Sequence, residues 1–181
     1  MVVKSARQDD FFDVCVSCKD GCCRGARPPL TAERKRIIES YLKEHRIPIE
    51  NPFTRTEYDF PREDAAGYCV FYDGQTRHCQ VHAVKPETCV AGPVTFNLNR
   101  ASGRIEWFLK IEQICWLAGK LYRNKPALEK HLESAKKEIT SLVSELDSVA
   151  LQAILRIDEP QTFKIGENAL AENVLSKLGD G

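Results

Sequence analysis

The chain lacks an excess of either charge and has no long apolar run. Its 181 residues include 26 lysines and arginines and 26 aspartates and glutamates, which gives a formal net charge of zero. Nucleic-acid-binding proteins usually carry a basic excess, so we expect no nucleic-acid partner. No stretch approaches the length of a signal peptide or a membrane span, so we expect no membrane insertion. The expected location is cytoplasmic, where thiols stay reduced.

The chain also lacks the short motifs of common catalytic sites. It has no glycine-rich phosphate loop, no Gly-x-Ser-x-Gly elbow, no His-Glu-x-x-His pair and no dinucleotide fingerprint. These absences argue against an independent enzyme but leave open whether the protein catalyses a reaction. The composition, 43% hydrophobic and 29% charged, is that of a globular protein.

Cysteine is the residue that the chain has in unusual number. Four of its eight cysteines fall between residues 15 and 23, in the segment CVSCKDGCC. Neighbouring thiols are poorly placed to form disulfides with each other, but together they can surround a soft metal or an iron–sulfur cluster. A scaffold of four disulfides would instead require a secretory route. We therefore predict that the ligands of a metal centre are Cys15, Cys18, Cys22, Cys23, Cys69, Cys79, Cys89 and Cys115.

The number of cysteines bears on which metal is bound. Eight thiolates exceed the four ligands of one tetrahedral zinc ion, which favours one or two iron–sulfur clusters, of the [4Fe–4S] kind. Zinc stays the alternative, because Cys-x-x-Cys pairs and hairpin cysteines also build zinc sites. Adjacent side chains point apart, so it is left open which cysteines share a centre.

These motifs resemble the cysteine-cluster family of zinc- or iron-chelating domains, which includes the flagellin lysine N-methylase. Its pattern of C-x-x-C-x-x-x-C-C, a hairpin cysteine pair, R-P-x-x-C and a last cysteine is matched over residues 15 to 119. Lys85 stands where the family usually has arginine, and Trp116 follows Cys115 in place of proline. The resemblance implies an oxygen-sensitive iron–sulfur centre or zinc.

Local signals in the first 122 residues predict an α+β fold: a small metal-stapled domain with two short β-hairpins and surrounding helices. Thr31 is a suitable N-cap for a helix from Ala32 to about His45. A strand is expected over residues 52–60. Asp73-Gly74 predicts a hairpin that joins Cys69 to Cys79, and a second hairpin is expected over residues 94–109. A helix from about Ile111 is expected to carry Cys115.

The remaining residues, 123–181, are predicted to form a helical C-terminal extension. Asn124-Lys125-Pro126 starts a helix that is expected to run to about Ile157, followed by a short one over 167–178. The long helix has a narrow apolar stripe, which we interpret as packing on its own domain in preference to docking on a partner. The stripe consists of Leu128, Leu132, Ala135, Ile139, Leu142, Leu146, Val149 and Ala153.

Charged residues and histidines outside the cysteine motifs give weaker signals. The basic residues Arg24, Arg27, Arg34, Lys35 and Arg36 are interpreted as a solvated face. His45 and His131 lie on predicted helices without a partner in sequence, so both are expected to be exposed to solvent.

Three functional hypotheses remain. The first is an iron–sulfur protein that responds to redox state or oxygen as an accessory of a larger redox or methyltransferase complex, with the 125–157 helix as the candidate docking surface. The second is a structural zinc module. The third, which rests on the resemblance alone, is an S-adenosylmethionine-dependent protein lysine methylase.

Overall fold

The computed structural model describes residues 12–17, 21–157, 159 and 161–179, so Cys18 lies outside the described residues. The helices are α1 (Phe12–Ser17), α2 (Ala32–Glu44), α3 (Glu87–Ala91), α4 (Trp116–Arg123), α5 (Lys125–Glu145), α6 (Ser148–Leu155) and α7 (Glu172–Gly179). The strands are β1 (Phe53–Arg55), β2 (Asp59–Pro61), β3 (Tyr72–Asp73), β4 (His78–Cys79), β5 (Val94–Asn99), β6 (Arg104–Lys110) and β7 (Thr162–Ala169). The predicted α+β class is confirmed.

Helix α2 begins where its capping residue predicts. The side-chain oxygen of Thr31 accepts a hydrogen bond from the backbone N–H of Arg34 at 3.0 Å, which satisfies one of the unpaired donors of the first turn. The apolar face of the helix buries Ile38 and Leu42.

The segment that was predicted as one strand over residues 52–60 is instead a hairpin. Strands β1 and β2 pair antiparallel, with Thr54 opposite Phe60. The chain reverses between them, where the backbone N–H of Thr56 donates to the carbonyl of Tyr58. Tyr58 and Phe60 are buried as expected, so the apolar spacing was interpreted correctly and the turn was missed.

The hairpin between Cys69 and Cys79 is confirmed, although its strands are short. Tyr72 pairs with Cys79 across β3 and β4. Asp73 forms the turn: its side chain accepts from the backbone N–H of Gln75 at 2.9 Å and from the hydroxyl of Thr76 at 2.8 Å. The hairpin thus brings two cysteines of the motif close together.

The larger sheet has the order β5-β6-β7, with both pairs antiparallel. Strand β7 was not predicted, and the short helix expected over 167–178 is confined to α7. Trp107 on β6 anchors the third strand, because its indole N–H donates to the side-chain oxygen of Asn168 at 2.8 Å. Residues beyond 122 therefore contribute a strand as well as helices. The predicted boundary between a metal-binding domain, 1–122, and a C-terminal extension, 123–181, stays a prediction.

The long helix expected over residues 124–157 is two helices. Leu146 leaves the helical conformation, and the side chain of Asp147 caps α6 by accepting from the backbone N–H of Ala150 at 2.8 Å. Ile139 and Leu142 of the stripe are buried, so the interpretation that the helix packs on its own domain is confirmed.

Two apolar cores lie under these elements. The larger core contains buried residues of the β5-β6-β7 sheet and of α5, α6 and α7. The smaller core consists of Leu30, Ile38, Leu42, Phe71 and Val81, and Cys69 and Cys79 pack partly against it. Among the described helices, none has both the length and the apolar character that crossing a membrane requires.

Candidate metal centre

Five free thiols of three separate segments form one group. They belong to Cys22, Cys23, Cys69, Cys79 and Cys89. The pKa of each responds to at least one other: the pKa of Cys22 responds to the side chain of Cys23, those of Cys23, Cys79 and Cys89 to the charge of Cys22, and that of Cys69 to the charge of Cys79. We refer to these five residues as the thiol group. Cysteines of the dense motif and of the hairpin thus act on each other and on Cys89, and their assignment as metal ligands stays a prediction.

The turn that carries Cys22 and Cys23 is attached to the hairpin segment by backbone hydrogen bonds. The N–H of Cys69 donates to the carbonyl of Cys23 at 2.8 Å, and the N–H of Gly25 donates to the carbonyl of Gly67 at the same distance. Gly25 and Gly67 both have positive φ, a conformation that glycine adopts without a steric penalty. These glycines allow the two cysteine-bearing segments to approach each other.

The hairpin cysteines are held in two similar turns. The sulfur of Cys69 accepts a hydrogen bond from the backbone N–H of Phe71, and the sulfur of Cys79 accepts one from that of Val81. Phe71 and Val81 are both completely buried in the smaller core. A fully buried apolar residue two positions after each cysteine thus fixes an N–H that favours the thiolate form of the sulfur.

Cys89 lies in the middle of the short helix α3. Its segment is attached to distant parts of the chain, in ways that the sequence did not indicate. The guanidinium of Arg34 donates to the carbonyl of Lys85 at 3.1 Å and forms an ion pair with Glu138. The expectation that Arg34 belongs to a solvated face is wrong, since only 16% of its side chain is exposed.

His131 was expected to be exposed, and this is also wrong. Its Nε2–H donates to the carbonyl of Ala91, at the end of α3, at 2.9 Å, and its ring is partly buried. Burial lowers the pKa of His131, and the nearby positive charge of Lys85 acts in the same direction. The exposure expected for His45 is confirmed.

Cys15 and Cys115 lie on a second pair of elements that contact each other. Helix α1 carries Cys15 and packs against α4, whose N-cap residue is Cys115. Cys15 is exposed, while Cys115 packs partly against the larger core. Since Cys18 is outside the described residues, the assignment of all eight cysteines to one or two centres stays a prediction.

The thiols of the group ionise very differently. A hydrogen bond from the Cys23 side chain, helped by the charges of Lys110 and Lys85, lowers the pKa of Cys22 to about 6. The pKa of Cys23 is raised because its thiol is the donor in that bond. Burial raises the pKa of Cys69 to about 11 and also raises the pKa of Cys79 and Cys89. One thiolate is therefore favoured near neutral pH, and the others need a neighbouring cation to ionise.

The group fits a metal in the chemistry of its donors. Thiolate is the ligand that zinc and iron–sulfur clusters prefer, and a bound cation removes the penalty for ionising several partly buried thiols together. Within the described ranges, no three cysteine, histidine, aspartate or glutamate side chains already stand in a metal-binding arrangement. The thiol of Cys23 donates a hydrogen bond to the sulfur of Cys22, so these two predicted ligands lie next to each other.

Comparison with known proteins gives one match. A family model named CxxCxxCC, with the description "Putative zinc- or iron-chelating domain", matches residues 14–116. The matched range includes the whole thiol group and ends one residue after Cys115. Neither the curated proteins nor the solved structures contain a match to the chain.

Proposed function

Because the chain belongs to the CxxCxxCC family of zinc- or iron-chelating domains, metal binding is its function in outline, and we propose that the metal centre is an iron–sulfur cluster. The observation that carries this proposal is the size of the thiol group. A [4Fe–4S] cluster is held by four cysteine thiolates, one on each iron atom, and the group contains five thiols even without Cys15, Cys18 and Cys115.

The residues around the sulfurs support this function. The N–H groups of Phe71 and Val81 point at the sulfurs of Cys69 and Cys79, and hydrogen bonds to sulfur are among the factors that set the potential of such clusters. The positive charges of Lys85 and Lys110 act on Cys22 and offset part of the negative charge of several thiolates. When bound, an iron–sulfur cluster supplies reversible one-electron chemistry.

We further propose that the state of the centre controls the conformation of the loops that hold it. In the described stretch 21–25, the turn around Cys22 and Cys23 contains no regular helix or strand segment. Two backbone hydrogen bonds attach this stretch to residues 67–69, and one closes a turn of its own. Oxidation or loss of the centre would loosen this turn relative to the hairpin. A protein partner that contacts the turn would then bind with a different affinity.

The partner surface that we propose is not the apolar stripe of the 125–157 segment. This stripe contributes Ala135, Ile139 and Leu142 to the larger core, where they are buried by the chain itself. We propose instead that the partner contacts the loops beside the thiol group and that the protein is a redox-responsive accessory of a larger complex.

A structural zinc site is the second candidate, and one observation favours it. Cys69 and Cys79 lie on a short hairpin, each followed by a buried residue whose N–H bonds the sulfur, a geometry suited to one tetrahedral ion. In that case the metal stabilises the fold and its loss unfolds the surrounding loops.

Metal and sulfide analysis of the full chain, purified without oxygen, separates these candidates. The iron–sulfur proposal predicts about four iron atoms and four acid-labile sulfides per [4Fe–4S] centre, with a visible absorption band that bleaches in air. Colourless protein with stoichiometric zinc and no sulfide would overturn it in favour of the structural site. As an internal check, Cys79→Ser is expected to lose the centre, whereas Tyr122→Ser, an exposed substitution on α4, is expected to keep it.

A further inference from the structure

The helix that carries Cys89 is too short to hold its own position. Helix α3 has five residues, from Glu87 to Ala91. A helix of little more than one turn has too few internal hydrogen bonds to repay the cost of its nucleation. Its packing partner is α5, with which it makes one of the most extensive contacts between helices in the described part of the chain. The position of the Cys89 sulfur thus depends on what attaches α3 from outside.

The start of the Cys89 segment is attached through Arg34 of α2. One guanidinium nitrogen donates to the carbonyl of Lys85 at 3.1 Å, and the other pairs with the carboxylate of Glu138 on α5. The same guanidinium lies 3.8 Å from the carboxylate of Glu87, which also accepts from the hydroxyl of Thr31 at 2.7 Å. Glu87 is only 3% exposed, so this attachment is well shielded from water.

The end of the segment is attached by a second residue of α5. His131 donates to the carbonyl of Ala91 at 2.9 Å, and this interaction is partly buried. His131 and Glu138 are seven positions apart in the same helix, which places them on one face, about 10 Å apart along the axis. That spacing matches the short segment between Lys85 and Ala91, so α5 holds the end of the segment directly through His131 and its start through the pair of Glu138 with Arg34.

We propose that α5 acts as a clamp on the Cys89 segment and that Arg34, Glu138 and His131 are positioning residues of the metal centre. The inference rests on the function proposed above and extends it to a helix outside the chelating domain, since the family match ends at residue 116 and α5 begins at Lys125. The clamp keeps the Cys89 sulfur beside the other thiols. Metal therefore leaves slowly while α5 is in place and faster when either attachment is cut.

The test uses the full-length protein with Glu138→Gln, His131→Phe and the double variant. Glu138→Gln keeps the shape of the side chain but removes its charge, and His131→Phe keeps a ring and removes the donor. Glu133→Gln is the matched control, because Glu133 lies on the same helix with 73% of its side chain exposed and pairs with Lys136. Two quantities are measured: the rate of metal transfer to a chromogenic chelator, and amide hydrogen exchange over residues 85–92 in metal-free protein.

The clamp predicts that each variant releases metal faster, and the double variant about tenfold or more faster, the size that substitutions just outside a metal's ligand shell typically produce. It also predicts faster exchange over residues 85–92 without metal, while Glu133→Gln behaves like the wild type.

Unchanged release and exchange in the double variant would overturn the clamp. If the three residues only stabilise the fold, the variants lower the denaturation midpoint of metal-free protein, but under conditions well below that midpoint they release metal at the wild-type rate. This result would also overturn the clamp. If wild-type protein binds no metal, the proposed function fails, and the exchange measurement still decides whether α5 holds the segment.

Discussion

The backbone N–H of Cys69 donates to the carbonyl of Cys23 at 2.8 Å. Together with the bond from Gly25 to Gly67, this bond joins the dense cysteine motif near the start of the chain to the hairpin segment 46 positions later in the sequence. The backbone thus places Cys23 and Cys69 side by side, on two segments that both supply predicted metal ligands.

We predict that Phe71→Ala strongly destabilises the protein and impairs the thiol group. Phe71 is completely buried in the smaller core, and truncation of a buried phenylalanine to alanine costs about 3–5 kcal/mol. The N–H of the same residue bonds the sulfur of Cys69, so backbone movement there also disturbs a predicted ligand. Chemical denaturation of metal-free protein measures the loss in the free energy of unfolding.

The control for this substitution is Phe163→Ala. Phe163 is 37% exposed on β7 and lies outside the smaller core. We expect Phe163→Ala to lower the free energy of unfolding clearly less than Phe71→Ala does. Equal losses for the two variants would show that the smaller core does not support the hairpin as described.

We predict that Asp147→Ala lowers the free energy of unfolding by about 1 kcal/mol, the typical cost of losing an N-cap. The side chain of Asp147 accepts from the backbone N–H of Ala150 and starts α6. Asp147→Asn, which keeps the capping oxygen, is the control and is expected to recover most of the loss. If Asp147→Ala is as stable as the wild type, the break between α5 and α6 does not rest on this cap.

Local signals in the sequence predicted the elements whose interactions are local. Thr31 capped α2 and Asp73 turned the hairpin, because each of these bonds spans only a few residues. The clustering of Cys69 and Cys79 followed from the same turn. The break at Asp147 was missed because apolar residues continue at helical spacing through it, although Val149 proves to be 62% exposed.

What the sequence could not predict depends on contacts between distant residues. The bonds of Arg34 to Lys85 and Glu138 span 51 and 104 positions, and that of His131 to Ala91 spans 40. Strand β7 was missed for a similar reason. Buried and exposed side chains do not alternate along it, and its strand conformation depends on pairing with β6, which is distant in sequence. No short-range pattern contains this information.

We predict that His131 makes the stability of metal-free protein depend on pH below about 6.5, the ordinary pKa of histidine. Burial holds the pKa of folded His131 below this value, so the unfolded state takes up the proton first as the pH falls. The contribution of His131 is therefore fully present above pH 6.5 and is lost progressively below it. Denaturation midpoints measured from about pH 7.5 to about pH 5 in the presence of a chelator follow this loss.

The comparison that isolates this effect is between wild type and His131→Phe. The variant is expected to be less stable at neutral pH but to lose less stability on acidification. Parallel profiles for wild type and His131→Phe would contradict the prediction.

The central claim is that the sulfurs of the thiol group hold the metal, and thiol protection tests it most directly. The protein, purified without oxygen, is alkylated before and after removal of the metal by a chelator, and each modified cysteine is identified by mass spectrometry. The account predicts that Cys69, Cys79 and Cys89 are protected while metal is bound and become modified once it is removed. Modification of these three cysteines at the same rate in both states would contradict the account.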